Sequence, residues 1–390
     1  MNMPLQVTHV VENLNRGGLE RMVVDLAALQ HAQGIQTRVV ALYQPGELAD
    51  ELRAQGVPVV ACGKQHGKRV RPLLRMWQEL SQWPAPGVIH SHNAMAHLYA
   101  AAVCSALPRR CLLNTRHGMG KSPHARLERL YRLSMSRTRH VVTVCDEARR
   151  QLQAWQLRPR GGMSCIHNGI SLRRLQRDRG QARAALERLS GLPAGATVIG
   201  TVGRLEPVKR HDLLIDAFRR LRDACPQEDL HLVIIGDGSL RQPLQAQVDA
   251  GPDRDRIHLA GARGDVGTLL AGLDLFAMSS DSEGYSLALV EAAAAGLAIV
   301  ATDVGGNREI VDAAGCGQLV APGDPQAFAQ ALDALLRQPQ RLQACSRAAS
   351  AWALREASIE AMAARYQELY LRLLGAHDAA TDGCVARVSG

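Results

Sequence analysis

The stretch Ser279–Gly306, SSDSEGYSLALVEAAAAGLAIVATDVGG, sets two acids, Glu283 and Glu291, eight residues apart. Gly284, Tyr285 and Ser286 make a short turn after the first acid, and the run Leu287–Ala295 that carries the second has a helical composition. Ser286 is the expected N-cap. The backbone N–H groups that follow, from Leu287 on, then point out of a helix start, whose partial positive charge suits a phosphate. Glu291 falls in the second turn, where a carboxylate can accept hydrogen bonds from the vicinal hydroxyls of a sugar. Gly296 stops the helix, and Leu297–Thr302 reads as a buried strand. A surface turn followed by an ordinary buried helix would use the same residues, so this stretch alone leaves both open.

A second loop suited to phosphate precedes it. Gly203-Arg204-Leu205-Glu206-Pro207-Val208-Lys209-Arg210 follows an apolar strand, Val198–Val202. Arg204 offers a planar fork to phosphate oxygens and Lys209 a point charge, together the donors a diphosphate needs. Alone they could be two solvated charges; two such loops in one half of the chain favour a ligand.

The first half has its own candidates. Gly17-Gly18 lies between strand-like and helix-like segments and would let a ligand approach backbone N–H groups. It is not G-x-G-x-x-G, so the dinucleotide fingerprint of a dehydrogenase is missing. Two histidine groups, His90-Ser91-His92-Asn93 and Asn114-Thr115-Arg116-His117-Gly118, follow strand ends. No carboxylate lies close in sequence to complete a metal-ligand set, so no metal is expected. His117, beside a glycine, is expected to hydrogen-bond a substrate; His9, His97 and His140 read as structural or surface residues.

Such residues need a scaffold that presents loops at one edge. Strand candidates are Val7–Glu12, Thr37–Tyr43, Val57–Gly63, Val88–His92, Leu112–His117, Val141–Cys145 and Ser164–His167 in the first half. In the second they are Val198–Leu205, Leu230–Gly236, Ile257–Gly261, Leu273–Met278, Ala298–Thr302 and Gln318–Val320. They are short and mostly unalternating, as strands buried on both faces are, and helical stretches such as Gly18–Gln33 and Arg126–Ser136 separate them. The pattern predicts an α/β protein of two Rossmann-like, doubly wound domains in series, with ligands at the carboxyl ends of the strands and in a cleft between domains. The charged segment Arg173–Ala196 is the expected linker. It divides an N-terminal domain, 1–175, from a C-terminal domain, 190–354; residues 376–390 read as a disordered tail.

Composition bounds the partners. Of 390 residues, 46% are hydrophobic and only 3% aromatic, so Leu, Val, Ile and Ala must build the core. Residues 1–180 carry 26 Lys and Arg against 11 Asp and Glu, whereas the remainder carries 20 against 26. A basic first half suggests an anionic partner. His66-Gly67-Lys68-Arg69-Val70-Arg71 with Arg75, and Arg126, Arg129, Arg132, Arg137 and Arg139, lack interleaved aromatics. They therefore suit an anionic lipid surface better than nucleic acid, although solvated helix faces would look alike. The nine cysteines form no C-x-x-C pair and read as reduced structural thiols of a cytoplasmic protein. No signal peptide is expected, and the longest apolar span, Ala94–Leu107, is too short to cross a bilayer.

Taken in order, Gly17-Gly18, Arg116-His117-Gly118, His167-Asn168-Gly169-Ile170, Gly203-Arg204 with Lys209, and Glu283-x7-Glu291 resemble the retaining GT-B glycosyltransferases of family 4 over about residues 5–372. The resemblance implies a transferase that moves a sugar from a nucleotide-diphosphate sugar to a hydroxyl of a glycan or lipid-linked acceptor, without cofactor or metal. It points to bacterial exopolysaccharide or surface polysaccharide synthesis, in the cytoplasm or at the inner face of its membrane. Arg204 and Lys209 would hold the diphosphate, with backbone N–H groups near Ser286 and Leu287 and the turn at Gly284 and Tyr285. Glu291 would bind the ribose and Glu283 the transferred sugar. His117 would act from the N-terminal side, with Gly17, Gly18 and Gly203 as close-approach points. The base would lie near Leu259–Arg263, with Arg263 among its contacts. The C-terminal helix, about 355–375, would complete the first domain. A nucleotide-sugar 2-epimerase of the same fold and a silent binding subunit are the competing expectations.

Overall fold

The computed structural model describes residues 5–65, 70–83, 87–107, 110–118, 125–175 and 178–385. His66–Arg69 of the basic run lie outside the described residues. The first sheet consists of β1 (Gln6–Val11), β2 (Gln36–Ala41), β3 (Val59–Ala61), β4 (Gly87–His92), β5 (Arg110–Arg116), β6 (His140–Thr143) and β7 (Met163–Cys165). Its order is β3-β2-β1-β4-β5-β6-β7, with every pair parallel. The second has β8 (Thr197–Val202), β9 (Leu230–Ile235), β10 (Ile257–Gly261), β11 (Leu275–Met278), β12 (Ala298–Thr302) and β13 (Gly317–Val320). Its order is β10-β9-β8-β11-β12-β13, again all parallel. All six residues of β1, β4 and β9 are buried, which explains why these strands read as runs rather than alternations.

Both orders reverse direction once, between β1 and β4 in the first sheet and between β8 and β11 in the second. At such a switch point the flanking βα loops part and leave a crevice for a ligand. The topology therefore singles out the loops after β1 and β4, and those after β8 and β11.

The chain forms two units, 1–169 with 359–390, and 170–358. All three phenylalanines, Phe218, Phe276 and Phe328, are fully buried in the second. Tyr131, Tyr366 and Tyr370 are the large aromatics buried in the first.

Three boundaries differ from expectation. The segment 173–196 is no linker: it holds a helix, Arg179–Ser190, that belongs to the second unit. Asp178 caps its start and Gly191, at φ 63°, ends it. Its core contact is small, Ala182 and Leu186, but Arg179 and Arg183 reach Asp274 at 2.6 and 3.0 Å. The C-terminal helix expected at about 355–375 is found and does join the first unit, but it starts later, at Ile359, after a separate helix. Pro339–Glu356, with buried Trp352, lies in the second unit, and Ile359–Val385 lies in the first. The tail expected from 376 is helical to Val385, because extending an existing helix adds a hydrogen bond for each residue fixed.

Candidate active site

In the second unit the loop after β8 and the loop after β11 are stitched together at the switch point. Asp281 N donates to Val208 O (2.8 Å), and Ser279 Oγ donates to Lys209 O (3.1 Å) and Arg210 O (2.8 Å). Arg210 adopts φ 50°, unusual for a side chain with a Cβ, and its guanidinium lies on Asp212 and Asp281. Thr302 Oγ1, at the end of β12, donates to Ser280 O (2.6 Å) and holds the second loop from below.

This frame brings Lys209 and Glu283 into contact. Lys209 Nζ is 2.6 Å from Glu283 Oε1, and Ser280 Oγ donates to the same oxygen at 2.6 Å. The pair is largely enclosed, with side-chain exposures of 22% for Lys209 and 9% for Glu283. An ammonium has three N–H donors, so two remain for an anion, and Glu283 Oε2 remains an acceptor. Arg204 is exposed, and no hydrogen bond or ion pair holds its guanidinium among the described residues. One paired and one unpaired cation thus stand at the carboxyl end of β8.

Ser286 is the N-cap of helix Leu287–Ala294, accepting from Leu289 N at 3.4 Å. Gly306 N donates to Gly284 O at 2.8 Å and fixes the turn that precedes it. Glu291 is half-buried on that helix, and Tyr285 is buried. Arg263 stands apart from this group, after the edge strand β10, with its guanidinium on Asp265 at 2.9 Å.

Two residues missed in the sequence shape the first loop. A Cβ on Gly236 (φ 153°) would lie 1.8 Å from Gly203 O, and one on Gly238 would lie 2.6 Å from Leu205 O. Leu205 N donates to Asp237 O and Leu240 N to Leu205 O. The strand-end run Ile235-Gly236-Asp237-Gly238 therefore lies directly against the Gly203–Leu205 loop. Two glycines just past a buried strand were the available signal.

In the first unit Gly17 precedes helix Gly18–Ala32, with extended backbone at φ −171°. Only the Glu20 carboxylate occupies the place of its missing Cβ. The fold itself does not demand glycine there. His117 follows β5, and its N donates to Asn93 Oδ1 at 3.3 Å. Its Nε2 is 3.0 Å from His92 Nδ1, and His92 Nε2 is 3.0 Å from His9 Nδ1. His9, His97 and His140, read as structural or surface residues, are all buried. His9, His90 and His92 lie close enough together to suit a metal. Every ring nitrogen of the three is instead engaged: His90 by Tyr370 and Thr115, His9 by Gln30 and His92, His92 by His9 and His117. Burial pulls the pKa of His9 down to about 4 and of His117 to about 3. It also holds those of His90 and His92 well below the ordinary 6.5, with help from neighbouring rings.

The eight described cysteines are free. Among the described residues no helix is long and apolar enough to cross a membrane.

Comparison with known proteins matches residues 16–174 to the family described as Glycosyltransferase Family 4, and residues 183–352 to the one described as Glycosyl transferases group 1. The D-inositol 3-phosphate glycosyltransferase of Frankia alni is 28% identical over 360 residues, covering 83% of this chain and 86% of that protein. The protein of the same name from Thermobispora bispora is 30% identical over 245 residues, 60% of this chain, and the match spans only 56% of that relative. Among solved structures, Anabaena Alr3699/HepE in complex with UDP-glucose superposes with a TM-score of 0.80 at 21% identity, over 94% of this chain and 99% of that one. WaaG, described as a glycosyltransferase involved in lipopolysaccharide biosynthesis, gives 0.72 at 19% identity, over 92% and 98%.

Proposed function

This chain belongs to the family 4, group 1 glycosyltransferases, with two Rossmann-like parallel sheets of the GT-B type, and from that premise we propose that it transfers a sugar from a nucleotide-diphosphate sugar to an acceptor hydroxyl. The observation that carries the proposal is the Lys209–Glu283 pair at the switch point of the second sheet, on the same loop as Arg204, whose guanidinium makes no hydrogen bond or ion pair among the described residues. Arg204 and the two remaining N–H donors of Lys209 bind the diphosphate and stabilise the charge that develops on the leaving phosphate. The helix start at Ser286–Leu287 adds backbone donors. Glu283 Oε2 accepts from a hydroxyl of the transferred sugar, and Glu291 from the ribose. The resemblance implies retention; with no carboxylate placed as a nucleophile in this scheme, a retaining transfer would run by front-face substitution, the departing phosphate helping to take the acceptor proton. The cations of the chain supply what a divalent ion would, so EDTA leaves turnover unchanged.

The test is a thermal-shift screen of nucleoside diphosphates and their sugars, starting with UDP and UDP-glucose, the ligands of the Anabaena structure. A binder raises the melting temperature. Release of nucleoside diphosphate that requires an acceptor identifies a transferase; turnover without one identifies an epimerase. No stabilisation by any nucleotide sinks the reading, as would binding without turnover, the mark of a silent subunit.

For the acceptor, the names of the relatives make inositol 3-phosphate the first soluble compound to assay. A lipid-linked glycan of bacterial exopolysaccharide or surface polysaccharide synthesis is the second. What favours it is the helix Val70–Ser81, where Val70, Leu74 and Trp77 are exposed at spacings of one and two turns beside Arg71 and Arg75. This pattern suits an anionic cytoplasmic membrane surface.

A further inference from the structure

The first unit holds a file of buried imidazoles that begins on an amide and ends on an unsatisfied nitrogen. Gln30 Oε1 is 2.8 Å from His9 Nε2, His9 Nδ1 is 3.0 Å from His92 Nε2, and His92 Nδ1 is 3.0 Å from His117 Nε2. His117 Nδ1 is buried and has no partner among the described residues. Gln30, His9 and His92 are themselves buried.

The proton positions in this file follow from counting. Burial keeps all three rings neutral near pH 7, so each carries one N–H. A file of neutral imidazoles bonded nitrogen to nitrogen has two arrangements only: every N–H toward Gln30, or every N–H away from it. The Gln30 amide lies with Oε1 on His9 and its Nε2, also buried, without a partner among the described residues; because a carbonyl oxygen accepts and cannot donate, that orientation selects the first. His9 then donates from Nε2 to Gln30, His92 from Nε2 to His9, and His117 from Nε2 to His92. Were the Gln30 amide turned over, the whole file would reverse and His117 would present an N–H.

We propose that Gln30, His9 and His92 are positioning residues that hold His117 with its proton on Nε2 and a bare lone pair at Nδ1, so that His117 meets a ligand hydroxyl as a hydrogen-bond acceptor. That the hydroxyl belongs to a sugar or to the acceptor rests on the transferase reading; the direction of the file does not. A buried acceptor without a partner costs about 1–3 kcal/mol, which a hydroxyl donor at Nδ1 relieves. His90 lies outside the file, its nitrogens taken by Tyr370 at 2.7 Å and Thr115 at 2.7 Å, and Thr115 is 2.9 Å from Tyr366. Tyr366 and Tyr370 of helix Ile359–Val385 thus reach Thr115 and His90, and the His90 ring lies against those of His9 and His92, with centroids 5.2 and 4.2 Å apart.

The experiment is long-range proton–nitrogen NMR on the full chain with 15N-labelled histidine. The expected spectrum shows His117 protonated at Nε2 and bare at Nδ1. Gln30→Glu, which still accepts, keeps that tautomer; Gln30→Leu gives a mixture. An Nδ1–H on His117 in the wild type overturns the proposal, as does an unchanged single tautomer in Gln30→Leu. If Gln30→Leu does not fold, the wild-type spectrum decides alone. In turnover assays Gln30→Leu lowers kcat roughly tenfold or more, because tautomer and ring orientation are lost, while nucleotide affinity stays constant; Gln30→Glu restores the rate. Full transfer by His117→Ala would remove the role of His117 in the transferase reading and leave the tautomer result standing.

Discussion

At the switch point of the second sheet the loops after β8 and β11 meet through charge: Lys209 on Glu283 and Arg210 on Asp281, with Arg204 nearby and without a hydrogen bond or ion pair among the described residues. At that of the first sheet the corresponding region carries His9, His92 and His117, joined ring to ring and stripped of charge by burial. The first six strands follow the same order in both sheets, the first sheet adding a seventh at its edge, and the chemistry is opposite. The proposed diphosphate would carry its charge into the second site and need cations there. A hydroxyl is better met by neutral groups with fixed donor and acceptor directions, because a charged ring would donate from both nitrogens and accept from neither.

The largest expected effect breaks the charged half. On the proposed reading Lys209→Ala removes an N–H donor to the diphosphate, and it should lower turnover by roughly 10²–10³-fold while also weakening nucleotide binding. Glu283→Gln should lower turnover comparably, yet leave nucleoside diphosphate binding unchanged or tighter, since Lys209 is released from its partner. Calorimetry with nucleoside diphosphate separates the two. Equal loss of binding in both variants would mean that the pair acts as a structural unit, and the comparison would fail on that side.

Glycine substitutions sharpen it next. Gly236→Ala drives a Cβ to within 1.8 Å of Gly203 O, a backbone atom that cannot swing away. It should cost about 3 kcal/mol or more in denaturant unfolding and displace the cationic loop. Gly17→Ala meets only the end of the Glu20 side chain at an extended backbone, so stability should be near wild type. An activity loss without a stability loss in Gly17→Ala would assign that glycine to ligand approach.

Acid sharpens the contrast between charged and neutral halves. Burial holds the pKa values of His9, His90, His92, His97, His117 and His140 in the first unit below the unfolded 6.5, at about 4 for His9 and about 3 for His97 and His117. The unfolded chain therefore binds more protons as pH falls below 6.5. The stability these rings contribute is complete above about pH 6.5 and is lost on the way down toward pH 4 and 3, by at most about 1.4 kcal/mol per pH unit for each ring. The second unit has fewer such rings: His211, at about 4, with His231 and His258 shifted down less deeply. Hydrogen exchange at pH 7 and pH 5 should show the first unit opening earlier. Earlier opening of the second unit would contradict it.

How much of this was legible beforehand depended on whether the cause was local. All thirteen strands could be placed; the central ones, such as β1, β4 and β9, are buried on both faces and write that burial into consecutive residues, although the edge strands β3, β7, β10 and β13 are only partly buried. Ser286 as N-cap and Gly296 as helix stop were equally local, and both are found, with Gly296 at φ 75°. The helix Arg179–Ser190 reads as a linker in the sequence because its anchor, Asp274, lies more than ninety residues away. His9 was set aside for the same reason: its partner His92 comes 83 residues later, and no spacing rule links the ends of two parallel strands. The Lys209–Glu283 contact spans 74 residues, so the two residues could be nominated separately but not paired.

The smallest expected effect concerns the outer surface, where the halves also differ, since the first 180 residues hold the excess of basic side chains. On helix Val70–Ser81, Val70, Leu74 and Trp77 are 68, 57 and 43% exposed, an apolar stripe with Arg71 and Arg75 beside it. Insertion of such a stripe gains from buried area, and the arginines gain about 1 kcal/mol each near an anionic surface. Leu74→Ser with Trp77→Ser should therefore weaken sedimentation with anionic vesicles about tenfold and leave turnover on a soluble acceptor intact. Arg71→Ala should weaken it less and flatten its dependence on salt. Vesicle binding that ignores the apolar pair but follows salt would reduce the surface to electrostatics alone. No binding at low salt would leave the basic excess without a membrane role and favour a soluble acceptor.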